Sequence, residues 1–239
     1  TTVAEDSDCD GVLDLPPISA GDHSMCGVDT SDTVQCWGNT SITTLSGTFI
    51  TVSTSGAHAC GIDTTGTVQC TGSDWYGQSS SPSGTFIRVS AGENHTCGID
   101  ISGTVQCWGR NNWGEASPPS GTFFTQISAG PYHTCGVDIS GAVQCWGNNY
   151  GGMATPPSGT FIQVSAGGEH TCGINSNESI QCWGTDTFAF GTVTPPSGTF
   201  MYLTAGMYHT CAVASGGLVQ CWGMNDSGQS SPPSGFSVY

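Results

Sequence analysis

The chain has 239 residues, a formal net charge of −16, 13 cysteines and 36 glycines. Because Arg88 and Arg110 are its only lysine or arginine residues, the charge argues against electrostatic binding to nucleic acid or to an anionic membrane surface. No apolar run approaches the roughly 20 residues that span a bilayer, so direct membrane insertion is not expected. Since the sequence shows neither an initiator methionine nor a signal peptide, we expect a processed piece of a longer chain.

Residues 1–14 are predicted to form an acidic linker. Asp6, Asp8, Asp10 and Asp14 bring carboxylates close together around Gly11, a pattern that can gather oxygen ligands for Ca²⁺. The stretch resembles one turn of a thrombospondin type-3 repeat, and this resemblance implies calcium binding. A solvated acidic linker without a metal is the alternative, and no other cofactor is expected.

Residues 15–239 contain six near-copies of one segment, of which residues 95–109 are representative. The first cysteine of each copy follows that of the copy before it by 34 to 39 residues, and the second cysteine lies ten positions further on. A fixed period in this range is typical of a repeat architecture. Paired cysteines this regular favour an oxidising compartment, so we expect an extracellular or cell-surface location.

The sequence of each copy predicts a β-hairpin whose two strands are joined by a disulfide. In the third copy a turn at Ser102-Gly103 places Ile99 opposite Val105 and one cysteine opposite the other. Directly opposed residues lie about 4.5–5.5 Å apart, which a disulfide accepts. The alternative is that the disulfides join neighbouring copies. The predicted pairs are Cys26–Cys36, Cys60–Cys70, Cys97–Cys107, Cys135–Cys145, Cys172–Cys182 and Cys211–Cys221, which leaves Cys9 over.

A further strand precedes each hairpin, as at residues 161–167, so each copy is a sheet of three or four strands. Such a sheet cannot bury its apolar face alone. Radial packing of the copies predicts an all-β fold, a β-propeller of six blades. Residues 236–239 resemble the start of another copy and are expected to close the ring against the first. Seven blades is the alternative.

The pattern of residues 91–96 (Ala-Gly-Glu-Asn-His-Thr) and 107–111 (Cys-Trp-Gly-Arg-Asn) resembles the regulator of chromosome condensation propeller family. The cysteines make it most similar to the extracellular repeats of plant Crinkly receptor kinases, and it is also similar to secreted propeller inhibitors of β-lactamase. The resemblance implies the fold more than a function, because the family hosts exchange factors, receptors and inhibitors. Its members usually have seven blades, so six copies are a departure.

Two polar positions recur with the copies. The aspartates before the hairpin turn (Asp29, Asp63, Asp100 and Asp138) fit Asx-type turn bonding. The six histidines are placed at one repeat position, and a ring of imidazoles could hold a metal at the propeller axis. We expect instead that a ring nitrogen of each bonds backbone at a tight turn, because recurrence in every copy is typical of structural residues. They are His23, His58, His95, His133, His170 and His209. Catalytic residues are not expected.

Strand direction places the loops after the first and third strands of each copy on one face, where the copies differ most. This face is predicted to bind a partner, with packing between blades as the alternative. Its unlike residues are Trp75, Tyr76, Trp113, Tyr132, Tyr150, Phe188, Phe190, Met207 and Tyr208. Sequons for attached glycans begin at Asn39, Asn94, Asn177 and Asn225.

The sequence therefore predicts a non-catalytic extracellular β-propeller that serves as a structural or adhesive protein-interaction module. Such a module would belong to a cell-surface protein, an appendage or a filament, and its partner would be another protein or another copy of itself. The alternative is a ligand-binding receptor ectodomain or a secreted enzyme inhibitor that uses the aromatic loop face.

Overall fold

A computed structural model describes residues 18–20, 24–29, 31–38, 42 and 45–237. The predicted calcium stretch at residues 6–14, with Cys9, lies outside the described residues, as do His23 and Asn39. Within the described ranges every copy forms three strands, and one short 3₁₀ turn occurs at Tyr150–Gly152.

The strands are numbered in chain order, three to a copy. The first three copies contain β1 Ile18–Ala20, β2 Ser24–Val28, β3 Val34–Gly38, β4 Phe49–Ser55, β5 His58–Asp63, β6 Val68–Gly72, β7 Phe86–Ala91, β8 His95–Asp100 and β9 Val105–Gly109. The last three contain β10 Phe124–Ala129, β11 His133–Asp138, β12 Val143–Gly147, β13 Phe161–Ala166, β14 His170–Asn175, β15 Ile180–Gly184, β16 Phe200–Ala205, β17 His209–Ala214 and β18 Val219–Gly223.

Each copy is one antiparallel sheet in which the middle strand pairs with both neighbours, as in the order β7-β8-β9. Cys97 lies opposite Cys107 and Ile99 opposite Val105, which is the predicted register. All six predicted disulfides form within their copies, with Cα–Cα distances of 4.0–4.1 Å. The intra-copy pairing is confirmed, and the rival pairing between copies is wrong.

The turn of each hairpin follows the predicted chemistry. Gly103 has a φ of 82°, a conformation that glycine adopts without strain. Asp63 Oδ1 accepts the backbone N–H groups of Thr65 at 2.8 Å and Thr67 at 3.0 Å. The Thr65 hydroxyl also donates to this carboxylate, and together these bonds lower the pKa of Asp63 to about 2. The recurring aspartates are therefore turn residues.

The hydrophobic core lies between successive sheets. One cluster joins Cys97, Ile99 and Val105 of the third sheet to Phe124 and Trp146 of the fourth. Equivalent clusters join the other consecutive pairs of sheets. Each sheet thus completes its neighbour's core, as expected for copies that cannot bury their apolar faces alone.

Side chains also tie the first strands of neighbouring sheets together. Ser90 Oγ in β7 accepts the backbone N–H of Ala129 in β10 at 2.9 Å, and the same bond recurs from Ser53, Ser128 and Ser165. The Gln126 amide donates to the carbonyl of Val164 at 2.9 Å and accepts from its N–H at 3.1 Å. The first strands therefore lie side by side, with the third strands at the opposite edge of each sheet.

The two ends of this array do not close in the described ranges. Ser237 pairs with Leu218 in the hairpin of the sixth copy, so the C-terminal segment contacts the last sheet there. Cys211 and Val219 of the sixth sheet are half-buried, whereas the equivalent Cys97 and Val105 are buried under the next sheet. The expected contact of residues 236–239 with the first copy is not seen among the described residues.

Candidate binding face

The two variable loops of each copy lie together on one side of the sheets. The N–H of Arg110, after β9, donates to the carbonyl of Asn94, before β8, at 2.8 Å. The same bond joins Thr185 to Glu169 and Met224 to Tyr208. The residues between the first and second strands and those after the third strand are here called the loop face. The hairpin turns lie at the opposite ends of the strands.

A histidine joins each of four sheets to the next one. His133 Nε2 of the fourth sheet lies 2.7 Å from Thr171 Oγ1 of the fifth, and that hydroxyl donates to the Met153 carbonyl at 2.9 Å. The Trp183 indole N–H donates to the same carbonyl at 3.0 Å. Equivalent bonds of 2.7–2.8 Å join His58 to Thr96, His95 to Thr134 and His170 to Thr210. These four histidines are called the interface histidines.

The hydrogen bonds fix the tautomer of His133. Because the Thr171 hydroxyl donates its single hydrogen to the Met153 carbonyl, it must accept the hydrogen bond from His133 Nε2. Nδ1 then carries no hydrogen, and it has no hydrogen-bond partner among the described residues. Burial, with the neighbouring histidines, lowers the pKa of His133 to about 3, so the ring is neutral at physiological pH.

Two expectations about the histidines need correction. The ring nitrogen bonds a threonine hydroxyl of the next sheet and not backbone at a turn. The repeat position is also incomplete, because Ser24 and not His23 aligns with the others: Ser24 lies opposite Gly38 as His58 lies opposite Gly72. In the described ranges no three His, Cys, Asp or Glu side chains form a group that could hold a metal ion.

The sequence signal for this contact was the recurrent threonine after the histidine. That position holds Thr96, Thr134, Thr171 and Thr210 in the last four copies, but Met25 and Ala59 in the first two. Each of the four interface histidines bonds such a threonine, whereas the first copy has Ser24 at the histidine position and the second copy has Ala59 at the threonine position. Among the described residues, no threonine hydroxyl accepts from His209 of the sixth sheet.

In each of the last five copies, one side chain holds the loop after the third strand. Asn111 Oδ1 accepts the N–H of Ala116 at 2.9 Å, and its Nδ2 donates to Ser117 Oγ at 2.8 Å. The side chain at the same position makes a corresponding pair of bonds in four other copies. These side chains are Asp74, Asn149, Asp186 and Asn225. The tip of each loop is thus fixed before any partner binds.

Four of these rigid loops present an exposed aromatic ring at the tip. The exposed fractions are 91% for Trp75, 59% for Trp113, 61% for Tyr150 and 56% for Phe188. These four residues are called the loop-tip aromatics. Tyr76, beside Trp75, is 53% exposed. Phe188 also contacts the Phe190 and Tyr208 rings, with centroids 5.5 and 5.6 Å away, although more than half of its surface stays exposed.

The other predicted aromatic and methionine positions are half-buried: Tyr132, Phe190, Met207 and Tyr208. Tyr208 packs against Phe188 and Phe190 with ring centroids 5.6 and 6.2 Å apart. Met207 accepts the N–H of Gly168 with its carbonyl at 3.1 Å. The predicted set therefore divides into projecting rings and residues that brace the neighbouring loop.

Arg110 is held within the loop face. Its Nε lies 2.8 Å from Glu115 Oε1, its Nη2 donates to the Pro131 carbonyl at 2.9 Å, and its guanidinium lies 5.7 Å from the centre of the Tyr132 ring. Burial opposes ionisation of Glu115, but the bond from Arg110, the charge of Arg110 and backbone N–H groups that include that of Trp113 together outweigh it and lower the pKa of that carboxyl. The cation is compensated inside the protein.

The three sequons within the described residues differ in solvent exposure and in position on the fold. Asn177 is exposed beside a hairpin turn, away from the loop face, whereas Asn94 is half-buried next to His95. Asn225 is exposed, and its Nδ2 donates to Ser231 Oγ at 2.7 Å. Glycosylation at these three sites stays a prediction.

The fold and this face define a repeat protein built from three-stranded sheets, each with one disulfide inside it. The family model for the regulator of chromosome condensation (RCC1) repeat matches residues 86–114, 124–152, 161–189 and 203–229. The CRINKLY WD40 ectodomain of the Arabidopsis thaliana receptor kinase ACR4 is 30% identical, with 87% of this chain and 78% of that chain covered and a TM-score of 0.72. This chain belongs to the RCC1 repeat family.

Two more distant structures share the fold. The entire ectodomain of the Physcomitrella patens receptor kinase CR4 has 24% identity and a TM-score of 0.76, with 87% of this chain and 64% of that chain covered. Prp20p of Saccharomyces cerevisiae, described with its binding to Gsp1p and histones, has 13% identity and a TM-score of 0.74, with 86% and 71% covered. No curated protein matches the sequence significantly.

Proposed function

We propose that this chain is a non-catalytic protein-interaction module that binds its partner through the loop face. One observation carries the proposal: four consecutive copies hold an exposed aromatic ring at the tip of a loop fixed by internal hydrogen bonds. Exposed aromatic residues on loops above a rigid scaffold are typical of recognition surfaces, since a fixed ring loses little conformational entropy on binding.

An extracellular location accords with the disulfides and with the receptor-ectodomain relative. Disulfides persist in oxidising compartments, and this chain forms one in every copy. No helix among the described residues is long and apolar enough to cross a membrane.

The six sheets are proposed to be blades of one propeller. Five successive interfaces with shared clusters support this arrangement. Direct closure of the sixth sheet on the first would place Met25 where His209 needs a threonine hydroxyl. A seventh blade that supplies this hydroxyl is the alternative.

The role proposed first for the module is structural or adhesive, within a cell-surface protein, appendage or filament. A receptor ectodomain or secreted enzyme inhibitor is the second candidate, and the 30% identity to a receptor-kinase ectodomain favours it. Size measurement with non-reducing electrophoresis on native material separates the two. Discrete polymers support the structural role, and a monomer that captures one defined protein supports the second.

The loop face itself is tested by capture from native extracellular material. The variant W75A/W113A/Y150A/F188A is expected to lose the captured partner. The control I101A/I139A removes side chains that are 71% and 72% exposed at hairpin turns on the other side, and it is expected to keep the partner. Capture that depends on the hairpin turns and not on the loop tips would contradict the proposal.

A further inference from the structure

This inference rests on the proposed function and names the chemistry of the partner. We infer that the loop-tip aromatics bind an extended polypeptide segment rich in arginine and lysine. Placement, charge and one internal contact of the loop face carry the inference.

The placement of the rings suits an extended partner. Trp75, Trp113, Tyr150 and Phe188 each belong to a different copy, and each lies one or two positions after the side chain that fixes its loop. Trp75, Trp113 and Tyr150 project from their loops, with Trp75 91% exposed, whereas Phe188 also lines a shallow recess with Phe190 and Tyr208. Rings that project this far into solvent do not enclose a small molecule. A segment that passes from copy to copy can contact one ring after another.

The charge of the loop face suits a cationic partner. Its acidic side chains are Asp74, Glu93, Glu169, Asp186 and Asp226. The guanidinium of Arg110, in the same face, is compensated by Glu115 at 2.8 Å. With a net charge of −16 on the whole chain, the face attracts basic segments and repels acidic peptides or anionic polysaccharides.

The loop face already contains the contact that such a partner would repeat. The guanidinium of Arg110 lies over the Tyr132 ring, 5.7 Å from its centre, within the range of a cation–π interaction. Tryptophan is the strongest ring for this interaction, and two of the four loop-tip aromatics, Trp75 and Trp113, are tryptophan. Stacked guanidinium groups favour arginine over lysine in the partner.

A neutral oligosaccharide also stacks on exposed aromatic rings, but it gains nothing from the acidic side chains between them. The two candidate partners therefore differ in whether their binding depends on charge, and a binding assay can vary the charge of the probe. A basic peptide depends on both the rings and the charge, whereas an uncharged sugar depends on the rings alone.

Fluorescence anisotropy at ~0.15 M salt, where charges beyond about 8 Å are screened, provides the test. The probes are a labelled peptide of alternating arginine and serine, its lysine and glutamate counterparts, and labelled xylohexaose. Wild type is expected to bind the arginine peptide most tightly. The variant W75A/W113A/Y150A/F188A should bind it about tenfold or more weakly, because several cation–π contacts are lost together. Far-UV circular dichroism and a cooperative thermal transition verify that the variant is folded.

The control I101A/I139A should bind the arginine peptide as wild type does. Equal binding by the loop-tip variant would overturn the inference, because net charge alone would then explain the affinity. Ring-dependent binding of xylohexaose without binding of the arginine peptide would also overturn it, in favour of a carbohydrate. If the arginine peptide does not bind while capture of the native partner still requires the loop-tip aromatics, the inference about a basic partner is wrong and the proposed function is retained.

Discussion

Replacing Thr171 with valine tests how much one interface histidine contributes to stability. Valine keeps nearly the same shape and removes the hydroxyl that accepts from His133 Nε2 at 2.7 Å and donates to Met153 at 2.9 Å. His133 is 0% exposed, so water cannot replace the lost partner. The Met153 carbonyl keeps its bond from Trp183 at 3.0 Å.

The magnitude follows from these partners. A buried N–H left without an acceptor costs about 1–3 kcal/mol, and the lost bond to Met153 costs about 1 kcal/mol more. We therefore expect T171V to lower the free energy of unfolding by about 2–4 kcal/mol. For a chain of this size each kcal/mol lowers the melting temperature by roughly 2–4 °C.

The assay is guanidinium unfolding at neutral pH with the disulfides intact, followed by circular dichroism. The matched control is T160V, since the Thr160 hydroxyl is exposed and shares a 3.0 Å hydrogen bond with the exposed Ser176 hydroxyl. Its free energy of unfolding should stay within about 0.5 kcal/mol of wild type. If T171V is no less stable than T160V, the histidine contact does not stabilise the interface and the reasoning is wrong.

Three further predictions concern stability. The free energy of unfolding should fall as the pH drops from about 6.5 to about 4. In this range the histidines of the unfolded chain bind protons, whereas the interface histidines of the folded chain, with pKa values of about 3 to 4, stay neutral. A stability that does not change over this pH range would contradict their burial as neutral rings. The variant C97A/C107A should lose about 2–3 kcal/mol in denaturant unfolding, and a loss near zero would show that this disulfide does not stabilise the fold. The Gly98→Ala variant should lose about 1–3 kcal/mol, because its Cβ would lie 2.7 Å from the Phe86 ring, whereas Gly216→Ala, with open space around it, should melt within a few degrees of wild type.

Local features of the fold could be predicted from the sequence. A ten-residue step with a glycine turn fixes which residues face each other, so the pairing of Cys97 with Cys107 followed from spacing alone. The turn role of Asp63 followed in the same way, because an Asx turn involves only the next few residues. The common side of the variable loops followed from strand direction.

Contacts between copies could not be predicted in this way. His133 and Thr171 are 38 positions apart, and the preference of the ring for this hydroxyl depends on how the fourth and fifth sheets pack. The alignment of His23 was wrong by one residue. Its spacing to the cysteine already indicated this, since His23 lies three positions before Cys26 and the other histidines lie two before theirs, and strand register places Ser24 at the repeat position.

The sequence also could not separate the projecting aromatic residues from the bracing ones. Trp113 and Tyr208 both lie on variable loops, yet Trp113 is 59% exposed, whereas Tyr208 packs against Phe188 and Phe190. That difference depends on which side chains of the neighbouring loop pack against each ring. It is a property of the assembled sheets.

Site-specific photo-crosslinking tests most directly whether the loop face contacts the partner. A benzophenone-bearing phenylalanine would replace Trp113 in one sample and Ile101, on the opposite side, in another, and native extracellular material would be irradiated with each. We predict that a protein is joined covalently at position 113 and not at position 101. Crosslinks at position 101 alone would contradict the assignment of the binding face.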